Sequence, residues 1–240
     1  MTQFDKSQWA EGDFAREYRD HAEVYVIERR RLLTIIRSFH KHFLKTGQKK
    51  KILDLGCGDG IITHEILKID DTVSATLLDG SKDMLSNAKE RLKEFKNIQY
   101  ECASFQDILK NEILKQGFDL VVSSLAIHHL TMDEKKSLFR NIHSYLNSGG
   151  YFVNIDVVLS PADTLEQWYM SLWREWIDEK KHVLGVNDNS CDDIIKRYKD
   201  NTDNNPDTLY DQLEALQYLG FKDVDCFYKY GIFVMYGGRK

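Results

Sequence analysis

The sequence predicts an α/β protein in which helices flank a mainly parallel sheet. Apolar runs of strand length alternate along the chain with longer stretches of helical period, which is typical of strand, helix, strand units. The last two apolar runs follow each other too closely for a crossover helix, so they should pair antiparallel. With 240 residues, 42% of them hydrophobic, the chain can close one substantial core, and we expect a single domain over residues 1–240.

Strands and helices alternate regularly through the first two thirds of the chain. The predicted strands are Lys51 to Leu55, Val73 to Leu78, Ile98 to Cys102, Phe118 to Ser123 and Gly150 to Val157. The predicted helices are Ile61 to Lys68, Lys82 to Glu94 and Asp133 to Leu146. Ser81 stands at one helix start, and Thr131 with Glu134 matches a capping box at another. A last helix over residues 209–220 precedes the antiparallel strand pair.

A helical N-terminal cap is predicted over residues 1–46, ahead of the first strand. Its apolar side chains recur at helical spacing, at Val24, Ile27, Leu32, Ile35, Ile36, Phe39 and Phe43. This spacing predicts one continuous amphipathic helix from His21 to Leu44 that lies over the sheet.

Residues 160–206 interrupt the alternation and are predicted to form a helical insertion. Trp168, Trp173 and Trp176 lie there at helical spacing with other apolar residues, and a polar stretch over residues 200–206 should form an exposed loop. Two interpretations stay open. The aromatic stripe either packs on the core, or it forms a lid over the carboxyl ends of the strands, where open α/β sheets bind ligands.

Composition narrows the range of partners and compartments. The formal charge is −5, from 33 basic and 38 acidic residues, so nucleic acid is a disfavoured partner. The four cysteines are far apart and form no metal-binding pattern, so we expect no metal and reduced thiols in a cytoplasmic protein. No apolar run is long enough for a signal peptide or a membrane span, which predicts no membrane partner. A homodimer is compatible with the sequence.

A glycine-rich turn between the first strand and the next helix is the main candidate site. It reads Asp54, Gly56, Gly58, Gly60, and glycines at such a turn let backbone approach a ligand closely. The third glycine of the dinucleotide fingerprint would fall on Ile61, so that spacing is not met. A second acid, Asp79, ends the next strand, where a carboxylate would hold a ribose diol. Two acids around one glycine turn favour a cationic, ribose-bearing ligand over a pyrophosphate.

Four segments, ILDLGCGDG, LLDGSKDML, FDLVVSSLAIHHL and LNSGGYFVNID, resemble the class I S-adenosylmethionine-dependent methyltransferases and occur in family order over about Lys51 to Val157. The resemblance implies a doubly wound, Rossmann-like sheet of seven strands in the order 3-2-1-4-5-7-6, with strand 7 antiparallel. It implies an enzyme that uses S-adenosylmethionine. The N-terminal FAREYRDHAEVYVIERRR resembles the cap helix of small-molecule members of the family.

The resemblance also implies which residues hold the cofactor. Gly56 and Gly58 would line its methionine part, Asp79 its ribose hydroxyls, and Met84 its adenine, although Met84 also suits ordinary helix packing. Ser104 and Phe105 would lie at the adenine amino group, and Tyr18 would reach the cofactor from the cap. The full set of predicted cofactor-binding residues is Tyr18, Asp54, Gly56, Gly58, Asp79, Gly80, Met84, Ser104, Phe105 and Ser124.

Two histidines after the fourth strand are the candidate catalytic residues. Either His128 or His129 could act as general base, because the ordinary histidine pKa lies near neutrality. A packing and capping role for both histidines is the alternative, and Asp156 at the end of the fifth strand is a weaker candidate base. The segment lacks the [DN]PP[YF] element of enzymes that methylate amino groups of nucleic acids and glutamine.

The predicted acceptor pocket is aromatic with one cation, which suits a small molecule. Its candidate residues are Tyr25, His128, Trp168, Trp173, Arg174 and Tyr228, with Tyr230 nearby. The lid and the C-terminal segment also resemble the carboxy-S-adenosylmethionine synthase group, which acts in transfer-RNA wobble modification and whose lid carries a carboxylate-binding arginine. Arg197 or Arg174 would correspond. A cofactor-binding module without turnover is a third hypothesis.

Overall fold

The computed structural model describes residues 20–45, 47–111, 113–186 and 191–240. Seven strands form one sheet in the order β3-β2-β1-β4-β5-β7-β6. They are β1 (Lys51–Leu55), β2 (Ser74–Asp79), β3 (Ile98–Cys102), β4 (Phe118–Ser124), β5 (Leu146–Val157), β6 (Lys222–Tyr230) and β7 (Phe233–Arg239). β7 runs antiparallel to both β5 and β6, and the remaining neighbours are parallel. The expected fold class, strand order and antiparallel β7 are therefore confirmed.

Helices cover both faces of this sheet. They are α1 (Arg29–Phe43), α2 (Ile61–Leu67), α3 (Lys82–Arg91), α4 (Phe105–Lys110), α5 (Met132–Tyr145), α6 (Asp163–Leu184), α7 (Ile194–Asp200) and α8 (Leu209–Tyr218). Successive side chains of a strand point to opposite faces, so Ile52 and Leu53 of β1 belong to two separate apolar clusters. The first cluster lies under the cap and lid, and the second lies under α5 and α8.

The continuous cap helix from His21 to Leu44 was a wrong prediction. Residues 20–25 are helical, the chain turns at 26–28, and α1 begins at Arg29 after Glu28 adopts a left-handed conformation with φ of 52°. Residues 24–27 are all buried. One helix face cannot bury four consecutive side chains, because the apolar stripe of a helix repeats every three to four residues. The break lets the chain bury all four.

The helix α4 was missing from the sequence prediction. Ser104 caps it by accepting from the backbone N–H of Asp107, and the Asp107 carboxylate accepts in return from the Ser104 backbone N–H. This capping box stabilises a helix of only six residues. The helix fixes Ser104 and Phe105 at the carboxyl edge of the sheet.

Among the described residues, no helix combines the length and apolar character that crossing a bilayer requires.

Candidate active site

The glycine turn follows β1 at the carboxyl edge of the sheet. Gly56, Gly58 and Gly60 all have positive φ, at 65°, 53° and 75°. A Cβ on Gly56 would lie 2.5 Å from the Cβ of Ala126, whereas a Cβ on Gly58 would meet nothing within 4 Å. Glycine at position 56 is therefore required by packing as well as by conformation, and Gly58 borders open space.

Asp79, the last residue of β2, fastens the turn to the neighbouring strand. One carboxylate oxygen accepts from the Gly58 N–H and the other from the Ser81 N–H, both at 2.8 Å. Burial raises the pKa of Asp79, and the two N–H donors oppose this by favouring the charged form. The carboxylate thus lies at the edge of the cavity that the turn encloses.

A cavity of about 330 Å³, here called the glycine-turn cavity, opens above this turn. Eight of the predicted cofactor-binding residues line it, namely Gly56, Gly58, Asp79, Gly80, Met84, Ser104, Phe105 and Ser124. The N-terminal segment contributes Ala22 and Arg29. Tyr18 lies outside the described residues.

Asp54 does not line the glycine-turn cavity, which corrects its predicted place at the ligand. Its side chain is 1% exposed and accepts from the Thr63 hydroxyl at 2.7 Å, while the other carboxylate oxygen has no partner within the described chain. Burial raises the pKa of Asp54 from 3.8 to about 7. Asp54 therefore links β1 to α2 beneath the turn.

His128 and Asp156 form a buried pair beside the turn. The His128 Nδ1 lies 2.6 Å from one Asp156 oxygen, and the His128 backbone N–H donates to the other at 3.0 Å. Asp156 also accepts from the Val157 N–H. The Asp156 carboxylate can only accept, so Nδ1 of His128 is the donor in this pair, and in the neutral imidazole Nε2 then carries the lone pair.

Asp156 lies at one end of a series of hydrogen bonds through the side chains of Asn154, Tyr236 and Gln212. The Asn154 amide donates to Asp156 at 3.2 Å and to the Tyr236 hydroxyl at 2.9 Å, and Tyr236 donates to Gln212 at 2.5 Å. All of these side chains are buried. The chain of hydrogen bonds gives the carboxylate one orientation, and Asp156 acts here as a partner of His128.

His129 occupies a different environment from its neighbour. Its Nδ1 lies 3.3 Å from the Asp203 carbonyl oxygen, and its ring is 4.0 Å from the His128 ring, centroid to centroid. Burial, and then the positive charge of His128 when protonated, lower the pKa of His129 well below the usual value. A neutral His129 is therefore a wall residue and a poorer acceptor of a proton than a carboxylate-paired imidazole.

A second, small cavity of about 90 Å³ adjoins the first. Leu125 and His129 line both cavities, and His128 lines the small cavity alone. Leu125 has a φ of 52°, a conformation that costs a non-glycine residue roughly 1–3 kcal/mol. Its backbone N–H donates to the Ile155 carbonyl at 2.7 Å, which helps to hold this strained residue at the junction of the cavities.

A family model described as a methyltransferase domain matches residues 47–218, a range that contains the glycine turn, the His128–Asp156 pair and all of α8. The chain belongs to this methyltransferase family. The resemblance to class I S-adenosylmethionine-dependent methyltransferases is thereby confirmed, whereas the likeness of its lid to the carboxy-S-adenosylmethionine synthase group stays a prediction.

The proteins similar to this methyltransferase match different shares of its length. An uncharacterized methyltransferase of Bacillus mycoides (strain KBAB4) is 32% identical over 117 residues, which is 48% of this chain and 51% of that protein. An O-methyltransferase family protein from Burkholderia thailandensis has a TM-score of 0.66 at 12% identity, over 98% of this chain and 62% of that one. Phosphoethanolamine N-methyltransferase 2 of Haemonchus contortus, solved with S-adenosyl-L-methionine, has a TM-score of 0.60 at 19% identity, over 92% of this chain and 44% of that one.

The chain thus spans about half the length of the curated relative it matches and less than two thirds of both solved structures. At these low identities the solved structures share the fold with the methyltransferase. Which molecule it methylates must be argued from its own residues.

The lid of the methyltransferase brings only part of the predicted acceptor residues together. Tyr25, Trp173 and His128 line the small cavity. The Trp173 indole N–H donates to the Tyr25 carbonyl at 2.9 Å, and its ring packs edge-on against Tyr198 and Phe233. Trp173 therefore both packs on the core and forms a wall of the cavity.

Trp168, Arg174 and Tyr228 line neither of the two cavities. Trp168 is 56% exposed, because α6 turns this face outward from the sheet. The cation of the small cavity is Arg197 of α7, and Tyr198, Asn201 and Asn204 also line it. The structure therefore does not bring all of the predicted acceptor residues together in one cavity.

The polar stretch after α7 is a loop, as the sequence predicted, with Thr202 and Asn205 exposed, but it also borders both cavities. Thr202, Asp203 and Asn205 line the glycine-turn cavity, while Asn201 and Asn204 line the small cavity. The sequence analysis did not assign these residues to the cavities, because runs of Asn and Asp before a proline ordinarily indicate a solvated turn.

The segment is held in place by the site itself. The Asn205 backbone N–H donates to the His128 carbonyl at 2.8 Å, and its amide donates to the His129 carbonyl at 3.2 Å. The Lys135 ammonium, wholly buried, donates to the Asn205 carbonyl and pairs with Asp207. Residues 201–207 thus form a wall shared by both cavities.

Proposed function

We propose that the protein transfers a methyl group from S-adenosylmethionine to a small-molecule acceptor, with His128 as the general base. The observation that carries this proposal is the position of the His128–Asp156 pair, which lies on the wall of a small cavity that adjoins the glycine-turn cavity. Membership of the methyltransferase family supports the reaction class.

The residues around the glycine-turn cavity suit this cofactor. The open space at Gly58 admits a ligand against the backbone, and the adjacent Asp79 carboxylate can accept from two ribose hydroxyls. Met84 and Phe105 supply apolar surface against which the adenine ring of the cofactor can pack. When bound, the cofactor supplies an electrophilic methyl group whose bond to sulfur breaks with both electrons left on sulfur.

His128 would take the proton of the acceptor as the acceptor atom bonds to the methyl carbon. The Nδ1–H of His128 faces Asp156, so Nε2, at the far edge of the ring, carries the lone pair that accepts this proton. The Asp156 carboxylate stabilises the resulting imidazolium. The walls of both cavities exclude water and align the acceptor, which is the main contribution that an in-line displacement requires.

The first experiment releases and identifies whatever small molecule the purified protein carries, by denaturation and mass spectrometry. We expect S-adenosylmethionine or S-adenosylhomocysteine. Calorimetry with S-adenosylhomocysteine then compares wild type with Asp79→Ala, which should bind ten- to a hundredfold more weakly because hydrogen bonds to a charged group are lost. Asp119→Ala is the matched control, since Asp119 also accepts a backbone N–H, that of Lys51, at the start of β4. Equal affinity in Asp79→Ala would overturn the cofactor assignment.

A second candidate function is favoured by one observation. Arg197 lines the small cavity that adjoins the glycine-turn cavity, and a carboxylated S-adenosylmethionine would need such a cation for its carboxylate. Mass spectrometry separates the two candidates by the mass of the released molecule. A protein that retains S-adenosylmethionine but never turns it over with any metabolite pool would instead be a binding module.

A further inference from the structure

We infer that the acceptor is a small, flat hydroxy acid whose carboxylate binds Arg197 while its hydroxyl faces His128. This inference rests on the proposed methyl transfer and names the substrate class of the same site.

The charged side chains around the small cavity are the first observation. Among the described residues that line it, Arg197 is the one side chain with a permanent positive charge, and none is acidic. The cavity therefore favours an anion.

Arg197 makes two contacts at the cavity. Its Nη2 donates to the Tyr25 hydroxyl at 3.3 Å, and its Nε lies 3.3 Å from an Asp193 carboxylate oxygen. The Asp193 side chain is 61% exposed, and exposed ion pairs contribute little. A carboxylate inside the cavity would be desolvated and could bind the planar guanidinium through two oxygens, so it competes well with Asp193.

The size and walls of the cavity limit the acceptor. At about 90 Å³ the cavity is smaller than the roughly 150 Å³ cavity that encloses benzene. Four aromatic rings line it, those of Tyr25, Trp173, Tyr198 and Phe233, and Trp173 lies edge-on to Tyr198 and Phe233. A planar molecule smaller than a benzene ring fits such a cavity, whereas a nucleotide or a protein side chain with its backbone does not.

The wall formed by His128 determines where the reacting hydroxyl of the acceptor lies. His128 lines the cavity, and its Nε2 is the proton acceptor. Burial and the nearby Asp156 charge raise the pKa of Tyr198, so this residue stays neutral and offers a hydroxyl without adding charge. A hydroxyl on the acceptor therefore meets a base at one wall while the carboxylate meets a cation at another. The O–H proton passes to His128, the new C–O bond forms, and the methyl–sulfur bond breaks, which leaves a methyl ether and a neutral thioether.

The test uses the full chain saturated with S-adenosylhomocysteine and measures binding by calorimetry. The probes are glycolate and lactate, each beside its neutral amide. We expect at least one acid to bind tenfold or more tightly than its amide. Arg197→Met should remove this preference, and Arg197→Lys should restore part of it. Arg174→Met is the matched control, because Arg174 lies in the same lid and lines neither cavity.

Each outcome decides the matter. If the amides bind as well as the acids, or if Arg197→Met keeps the preference, the inference is wrong. If no acid binds although S-adenosylhomocysteine does, the inference fails and the proposed methyl transfer stands. If Arg197→Met instead loses a carboxylated cofactor found by mass spectrometry, the carboxylate belongs to the cofactor and not to the acceptor. Failure of S-adenosylhomocysteine itself to bind would overturn the proposed function.

Discussion

The two cavities are built in different ways. The glycine-turn cavity uses the ends of adjacent parallel strands, and its key contacts join residues about twenty positions apart, such as Gly58 with Asp79. The small cavity gathers Tyr25, Trp173, Arg197 and Phe233 from four distant parts of the chain. The first depends largely on backbone conformation and the second on side chains.

The glycine-turn cavity is the part of the site that follows from the family fold, whereas the small cavity depends on this chain's own side chains. Backbone N–H groups and glycines at a sheet edge follow from the fold, so one cofactor site can persist while side chains vary. The cap, the lid and the 201–207 segment supply the walls of the small cavity and can change without altering the sheet. Variants that damage one cavity and spare the other test this separation.

The largest expected effect is the loss of chemistry in His128→Asn. Removal of a general base lowers kcat by about 10²- to 10⁴-fold. The affinity for S-adenosylhomocysteine should not change, because His128 lines the small cavity alone. The measurement is S-adenosylhomocysteine release in the presence of an acceptor from metabolite screening. His42→Asn, an exposed histidine of α1, is the control. Equal kcat in His128→Asn and wild type would show that the acceptor needs no base here.

Gly56→Ala should damage the glycine-turn cavity and leave His128 in place. Its Cβ would lie 2.5 Å from that of Ala126, in a backbone conformation that already costs an L-residue about 1–2 kcal/mol. Affinity for S-adenosylhomocysteine should fall about a hundredfold or more. In Gly58→Ala the new Cβ meets no protein atom and costs stability only through the backbone conformation, but it enters the space proposed for the ligand, so affinity should fall about as much as in Gly56→Ala. Urea unfolding should show the larger loss of stability in Gly56→Ala, and equal losses of stability in the two variants would contradict this steric account.

The burial of Asp54 predicts that the free energy of unfolding depends on pH. Because burial raises its pKa from 3.8 to about 7, the folded protein keeps a proton that the unfolded chain has lost. The resulting stabilisation is full below pH 3.8 and disappears as the pH rises to about 7. Asp54→Asn removes this dependence, so its stability relative to wild type should increase by roughly 2 kcal/mol between pH 5 and pH 7. Urea unfolding at both pH values measures it, and a constant difference would contradict the burial argument.

The smallest expected effect belongs to Tyr236→Phe. The hydroxyl joins Asn154 to Gln212 behind Asp156, so its loss leaves buried polar groups unsatisfied at a cost of about 1–3 kcal/mol in stability. We expect kcat to fall several-fold, with a shifted pH profile and unchanged affinity for S-adenosylhomocysteine. Tyr230→Phe, on β6 and 37% exposed, is the control. An unchanged pH profile would assign Tyr236 a purely structural role.

The sequence by itself determined the alternating strands and helices and the glycine turn with Asp79, while the resemblance to a known family implied the strand order and the other predicted residues that line the first cavity. The strands, the helix starts and the turn depend on short-range chemistry: strand periodicity, capping residues and glycines at positive φ all leave a local mark. The break near Glu28 was missed because the apolar spacing continues through it, and only packing required four consecutive buried side chains.

Only the tertiary structure decided the remainder of the site. The sequence left His128, His129 and Asp156 as separate candidates, and folding made His128 and Asp156 one pair. The cation of the small cavity proved to be Arg197, not Arg174, because the direction in which a lid helix turns its side chains depends on what it packs against. The polar 201–207 segment carried the signal of a solvated turn, yet the buried Lys135 holds it over both cavities. Contacts between residues 30 to 170 positions apart leave no periodic trace in the chain, since their stability arises only when the sheet has brought them together.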